Sequence, residues 1–168
     1  YFHKAVYNQD LVLEGFKRPG KKKLKPVVLT ISEVKRIATS AENLKHRLMI
    51  ELAYTAGLRV SELVAVKVQH LNLEKLKVFV PGISKLGARA TIFSAGLKDA
   101  LQSLIGNKGP DDYLFPSERG GNLTTRSVTK FFKAALQTSG VDKEVTPHSL
   151  RQSFTAFMLA KGNDKASV

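Results

Sequence analysis

The chain has 168 residues, of which 43% are hydrophobic, so it can form one domain with a proper core, or one domain and a fragment of another. It has no Cys, which excludes disulfides and thiolate metal sites. No apolar run approaches the roughly 20 residues of a membrane span, and no signal-peptide core is present, so we expect a soluble, cytoplasmic protein. The net charge of +13 favours a polyanionic partner, meaning DNA, RNA or an acidic membrane surface. We favour nucleic acid, although some basic proteins have no such partner.

The first residues predict a linker. Residues 1–16 are weakly apolar and are typical of the end of a preceding helix. Residues 17–25 carry six basic side chains and no acid, with Pro19, Gly20 and then Pro26. Such a run is either a solvated tether or a strand that crosses a DNA backbone. Because the chain begins at Tyr1 and stops in mid-pattern, we expect a piece of a longer protein.

Two helices follow the linker. Thr30-Ile31-Ser32-Glu33 is a capping box that predicts a short helix to about Thr39. Residues 43–56 predict a second, largely buried helix, and Gly57 suits the position just past its end.

Arg59 comes next, in the stretch TAGLRVSEL. We expect Ser61 to cap a further short helix, which places Arg59 in a tight helix–turn–helix junction. A guanidinium held there either pairs with Glu62, the nearest carboxylate, or points at a ligand. A rigid corner favours the second use, because phosphate recognition needs a preset fork.

A hairpin is predicted next, from strands at residues 76–80 and 90–94. Its turn carries Lys85 and Arg89. A lysine at a hairpin tip can enter a groove on binding, although a single turn lysine is usually only solvated.

Two more helices are predicted, over residues 97–104 and from Thr124 or Thr125 to Leu136. The second carries Arg126, Lys130 and Lys133 against no acid, so its outer face could lie along DNA.

The last helix opens at TPHSLRQSF. Thr146 can cap it, and Pro147 suits the first helical position. His148 and Arg151 are three positions apart and therefore share one face. An imidazole and a guanidinium at a helix N-terminus can hold a phosphate; the alternative is a surface helix with two exposed polar residues.

Four cationic side chains, Arg59, Lys85, His148 and Arg151, together suit a phosphodiester in a five-coordinate transition state. Arginines would hold its non-bridging oxygens, and a lysine could protonate the departing alkoxide. A two-metal mechanism is disfavoured, because the acidic pair at residues 111–112 has no second acidic cluster or His pair.

These motifs together resemble a known family. TAGLRVSEL, the hairpin lysine, LFPS at residues 114–117 and TPHSLRQSF are similar to the catalytic domain of the tyrosine recombinases, or phage-type integrases, above all the Xer type. The likeness runs from about Pro26 to the end. It implies a mainly α fold with a small antiparallel β-sheet (α+β). It also implies that residues 1–26 end an N-terminal core-binding domain and its linker, and that residues 27–168 are a catalytic domain without its C-terminal segment.

The resemblance also implies roles. Arg59 and Arg151 would hold the scissile phosphate, and Lys85, with Arg89 as a rival, would be the general acid for the 5′ oxygen. His148 would bind the phosphate or help deprotonate the nucleophile. Neither a metal nor a cofactor is implied.

Further residues are expected to support this site or the DNA. Glu62 would orient the site around Arg59. Gln152 stands where the family commonly has His, which we expect to be tolerated. The expected DNA-contacting cations are Lys21, Lys22, Lys23, Arg89, Arg126 and Lys130.

The implied activity is site-specific DNA recombination through a 3′-phosphotyrosine intermediate, in a tetramer on double-stranded DNA. The nucleophilic tyrosine is expected after Val168, so this piece should be inactive alone. Two alternatives stay open: a non-catalytic DNA-binding protein with this fold, and a type IB topoisomerase.

Overall fold

A computed structural model describes residues 27–82, 87–118 and 120–162. Its helices are α1 (Ile31–Thr39), α2 (Leu44–Thr55), α3 (Val60–Val64), α4 (Lys98–Ile105), α5 (Thr125–Thr138) and α6 (Pro147–Ala160). Its strands are β1 (Leu71–Asn72), β2 (Lys77–Val80) and β3 (Arg89–Ile92), with 3₁₀ turns at Val68–His70 and Ala95–Leu97. The prediction of a mainly α fold with a small antiparallel sheet is confirmed. Within the described ranges, no helix is both long enough and apolar enough to cross a bilayer.

Helix α2 is the centre of the fold, because it packs against each of the other five helices described here. Its buried side chains lie on more than one face, which is typical of a helix surrounded by protein. They are Leu48, Met49, Ile50, Leu52, Ala53 and Tyr54. The residues that follow α2 therefore start from a well-anchored helix end.

Helix α1 begins as predicted. The Glu33 N–H donates to Thr30 Oγ1 at 3.3 Å, and the Thr30 N–H donates to Glu33 Oε2 at 2.7 Å. Lys143 also donates to Glu33 Oε2 at 2.8 Å. This bond from Lys143, with that from Thr30, lowers the pKa of Glu33 to about 2.

The sheet is antiparallel in the order β1-β2-β3. The register pairs Val80 with Arg89 and Val78 with Thr91. Strands β2 and β3 are shorter than the predicted runs, and the two-residue β1 was not predicted, because so short a strand has no detectable alternation. Arg89 and Thr91 are both partly buried, whereas Ala90 between them is exposed, so the first two lie on the inner face of β3.

Candidate active site

The turn after α2 places Arg59. Gly57 has a φ of +60°, a conformation that glycine adopts without strain. The Leu58 N–H donates to Ala53 O at 3.1 Å and the Gly57 N–H to Tyr54 O at 3.4 Å, which is the Schellman pattern. The predicted role of Gly57 at the end of this helix is therefore confirmed.

Arg59 itself, and not Ser61 as expected, is the N-cap residue of α3. The helix begins one residue before Ser61, so the serine lies in its first turn and is exposed. At the N-terminus of α3, Glu62 provides a partner for a backbone donor, because its Oε2 accepts from the Arg59 N–H at 2.7 Å. Glu62 thus fixes the backbone of Arg59 as well as its side chain.

Glu62 accepts four hydrogen bonds from two arginines. The Arg59 backbone N–H and Arg59 Nη1 donate to it at 2.7 and 3.1 Å. Arg89 Nη1 donates to Oε1 and Arg89 Nη2 to Oε2, each at 2.8 Å, in the bidentate geometry of an arginine–carboxylate pair. Four donors use the acceptor capacity of an ionised carboxylate, so its orientation is set.

Glu62 stays ionised although its side chain is only 6% exposed. Burial by itself would raise its pKa, but the hydrogen bonds from Arg89 and from the Arg59 backbone, with the attraction of both guanidinium groups, lower that pKa to about 2. The hydrogen bonding between Arg89 and Glu62 also raises the pKa of Arg89. This carboxylate is therefore an anion over the whole physiological pH range.

Arg151 reaches the same corner from α6. Its Nη1 donates to the carbonyl oxygen of Gly57, two residues before Arg59. Burial lowers the pKa of Arg151, and so does repulsion from the guanidinium groups of Arg89 and Arg59. The structure thus brings together two arginines that are far apart in the sequence.

The start of α6 differs in one detail from the prediction. Thr146 is its N-cap residue and Pro147 its first residue, but the Thr146 side chain makes no capping bond. Instead the Thr146 N–H donates to Ser149 Oγ at 3.2 Å. The Ser149 hydroxyl therefore accepts from the backbone of Thr146, whereas the prediction had the Thr146 hydroxyl accepting from the backbone of the helix. His148, on the same turn, is exposed.

Three guanidinium groups and one carboxylate leave this cluster with a net charge of +2. The Arg59 side chain is 37% exposed, so part of its donor fork faces solvent. Partly desolvated arginines with fixed orientation hold a phosphate more strongly than solvated ones, because local dielectric screening is weaker. The arrangement can bind an anion that carries one charge and gains another as it reacts.

Several predicted residues lie elsewhere or outside the described part. Lys85, Lys21, Lys22 and Lys23 fall outside the described residues. Arg126 and Lys130 are exposed on α5, whose opposite face is buried through Val128, Phe132 and Ala135.

Arg89, which the sequence assigned to DNA or to the general acid, has both terminal nitrogens bonded to Glu62. The sequence also missed two contributors to the corner. Thr91 Oγ1 donates to Ala56 O at 2.9 Å, and the Gly57 carbonyl binds Arg151. In the sequence, Arg89 and Thr91 are marked only by the alternating pattern of a short predicted strand. That pattern does not say which residues the inner face of the strand contacts.

The chain belongs to the phage integrase family, whose model matches residues 27–168. Among curated relatives it is 31% identical, over 99% of its length, to the tyrosine recombinase XerD of Listeria innocua, of which it spans 60%. It is 35% identical, over 92% of its length, to the tyrosine recombinase XerA of Pyrococcus horikoshii, of which it spans 55%. The chain therefore spans only a little over half the length of such relatives, and the resemblance to Xer-type tyrosine recombinases is confirmed.

Solved structures agree on the fold. The crystal structure of XerA recombinase superposes with a TM-score of 0.72 at 27% identity, over 84% of this chain and 53% of that one. A lambda integrase dimer bound to a COC′ core site gives a TM-score of 0.76 at 22% identity, over 99% of this chain and 65% of that one.

Proposed function

We propose that this chain carries the phosphate-binding part of the active site of a site-specific DNA recombinase. The observation that carries the proposal is the meeting of Arg59 and Arg151 at the Gly57 turn, with Glu62 neutralising only part of their charge. The substrate would be one phosphodiester of a DNA duplex. Membership of the phage integrase family supports this choice over other phosphate-containing ligands.

In the proposed reaction, Arg59 and Arg151 bind the non-bridging oxygens of the scissile phosphate and stabilise the charge that develops there. A tyrosine hydroxyl attacks phosphorus, and the bond to the 5′ oxygen breaks. His148 hydrogen-bonds the phosphate or takes the tyrosine proton, and Lys85 gives a proton to the 5′ oxygen. Because one phosphate ester replaces another, the reverse attack by a 5′ hydroxyl rejoins the strand without a cofactor.

The proposal also covers the domains and the assembly of the whole protein. Residues 1–26 would be the end of an N-terminal DNA-clamping domain and the basic linker that joins it to the domain of residues 27–168. A segment after Val168 would supply the tyrosine. The active assembly would be a tetramer on two DNA sites. Support for a DNA-bound oligomer comes from solved members such as the lambda integrase dimer on its core site.

Arg151→Ala in the full-length recombinase tests the proposal. Formation of a covalent 3′-phosphotyrosyl adduct on a duplex that carries the protein's recombination site should fall by at least about 100-fold, as expected for loss of an oxyanion-type donor. Most of the duplex affinity should remain, because other cations contact the backbone. Adduct yield is read on a denaturing gel, and affinity by fluorescence anisotropy.

The matched control is Arg36→Ala. Arg36 also donates to backbone carbonyls, those of Ser139 and Gly140 at 2.9 and 2.8 Å, so the control loses the same charge and similar bonds at another place. Its adduct yield should stay near that of the unchanged protein. An undiminished yield for Arg151→Ala would remove Arg151 from the site, and relaxation of supercoiled DNA without a partner site would favour a topoisomerase.

A further inference from the structure

The inner face of β3 braces the corner that holds Arg59. Arg89 and Thr91 are two residues apart on this face. Thr91 donates to the Ala56 carbonyl at 2.9 Å, and Arg89 binds Glu62 through two bonds of 2.8 Å. Strand β3 therefore contacts the helix–turn–helix junction at two places, one on each side of Arg59.

Arg89 supplies half of the hydrogen bonds that orient Glu62, and it supplies them from strand β3, a different element from the one that carries Glu62. Two of the four hydrogen bonds to this carboxylate come from the Arg89 side chain, and both are shorter than the 3.1 Å bond from Arg59 Nη1. Arg59 makes the other two bonds, from its backbone N–H at 2.7 Å and from Nη1. The parallel two-bond contact from Arg89 ties the carboxylate plane to strand β3 as well. The 3.1 Å bond from Arg59 Nη1 is thus made to a carboxylate whose plane is also held by Arg89.

We propose that Arg89 is a positioning residue that sets the Arg59 guanidinium through Glu62. The inference rests on the proposed function for the use made of Arg59, but its physical content needs no DNA. Arg89 would keep Glu62 ionised and fixed in one plane, and Glu62 would in turn hold Arg59 Nη1. The remaining Arg59 donors would then face the solvent side with a preset direction, which an incoming phosphodiester requires.

Two other roles for Arg89 make different predictions. If Arg89 bound a DNA phosphate directly, removing it would weaken DNA binding and lower the salt dependence by about one phosphate contact. If it served only the stability of the fold, its removal would lower the melting temperature without a specific effect on Arg59. The positioning role predicts a change at Glu62 and Arg59 in the free protein.

The variants are Arg89→Met, which keeps an apolar stem but loses the charge and donors, and Arg89→Lys, which keeps the charge but not the fork. Arg36→Met is the matched control, since Arg36 makes its bonds to the Ser139 and Gly140 carbonyls instead. Each is made in the 168-residue chain. The Glu62 carboxyl is titrated by carbon-detected NMR, and the Arg59 Nε–Hε signal is followed in nitrogen–proton spectra.

In Arg89→Met the pKa of Glu62 should rise above its value of about 2, because burial is then less well offset. The Arg59 signal should shift or broaden. Arg89→Lys should keep more of the lowered pKa but still disturb the Arg59 signal, and Arg36→Met should change neither. An unmoved Glu62 titration and Arg59 signal in Arg89→Met would overturn the proposal.

A DNA arm separates this inference from the proposed function. Affinity of the chain for a duplex is measured against salt, and Arg89→Met should leave the slope unchanged. A slope that falls by about one for Arg89→Met but not for Arg89→Lys would show a direct phosphate contact and overturn the positioning role. The NMR readouts involve neither DNA nor catalysis, so they can fail only with the positioning role, whereas a normal adduct yield for Arg151→Ala would count against the proposed function alone.

Discussion

At the scale of single residues, the site depends on one buried carboxylate. Glu62 is ionised because two arginines donate to it, and burial alone would have favoured its neutral form. A surface pair on α2, Arg47 with Glu51 at 3.3 Å, has the same charges but is screened by water. The comparison of Glu62 with Glu51 shows that the same charged residue types contribute differently to stability when their burial differs.

Glu62→Gln should lower the free energy of unfolding by about 1–3 kcal/mol at pH 7, because two partly exposed guanidinium groups lose their counter-charge. The pKa of Glu62 is depressed in the folded state, from 4.5 to about 2, so its contribution is present above pH 4.5 and lost as the pH falls toward 2. The difference between the two proteins should shrink over that interval. Urea unfolding at several pH values measures it.

Glu51→Gln is the control for this prediction, because it removes the carboxylate of the screened pair on α2. It should change stability by at most about 0.5 kcal/mol. A difference for Glu62→Gln that stays constant from pH 7 to pH 2 would contradict the depressed pKa.

At the scale of elements, the site is a helix end. The Schellman turn after α2 turns the chain so that the Gly57 carbonyl faces Arg151 and Arg59 begins α3. The ring of Phe154, on α6, lies against Gly57, so the two elements are in close contact as well as hydrogen-bonded. The same glycine therefore serves the backbone conformation, the packing and the position of Arg151.

Gly57→Ala should destabilise the protein by about 2–4 kcal/mol. About 1 kcal/mol comes from the left-handed backbone and the rest from displacing Phe154, whose ring carbon would lie 2.3 Å from the new Cβ. Gly162→Ala is the matched control, since Gly162 also follows a helix end with a positive φ of +82°, but no atom of the described residues lies within 4 Å of its Cβ position. Thermal or urea unfolding of both variants measures the difference; equal losses would show that the Phe154 contact is easily relieved.

At the scale of the whole molecule, the chain carries a net charge of +13. One described surface is the outer face of α5, where Arg126 and Lys130 are exposed one helical turn apart. Net charge by itself gives long-range attraction, whereas residues in contact with phosphates release counterions. Salt dependence distinguishes these two contributions.

The affinity of the chain for duplex DNA should fall linearly on a plot of log affinity against log salt, with a slope of about 0.9 per phosphate contacted. Arg126→Gln combined with Lys130→Gln should lower the magnitude of the slope by about 2, because two contacts are lost. Lys75→Gln with Lys77→Gln, at two exposed positions around the β1–β2 turn, is the charge-matched control and should leave the slope nearly unchanged. Similar slopes for both double variants would argue against a DNA-facing α5.

The sequence by itself determined the local structure and the family. The capping box at Thr30, the glycine after α2 and the proline at the start of α6 each act through neighbours in the chain, so their roles were predictable. The combination of TAGLRVSEL with TPHSLRQSF was enough to indicate the integrase family, which the match over residues 27–168 confirms.

Only the tertiary structure decided which charges meet. Nothing in the order of residues says that Arg89 binds Glu62 rather than DNA, or that Arg151 reaches the Gly57 carbonyl. Such partners depend on how β3 and α6 pack against the end of α2, and packing is set by the whole buried core rather than by a local pattern. The electrostatics of the site follow from that packing, because burial and proximity together shift the pKa values of Glu62, Arg89 and Arg151.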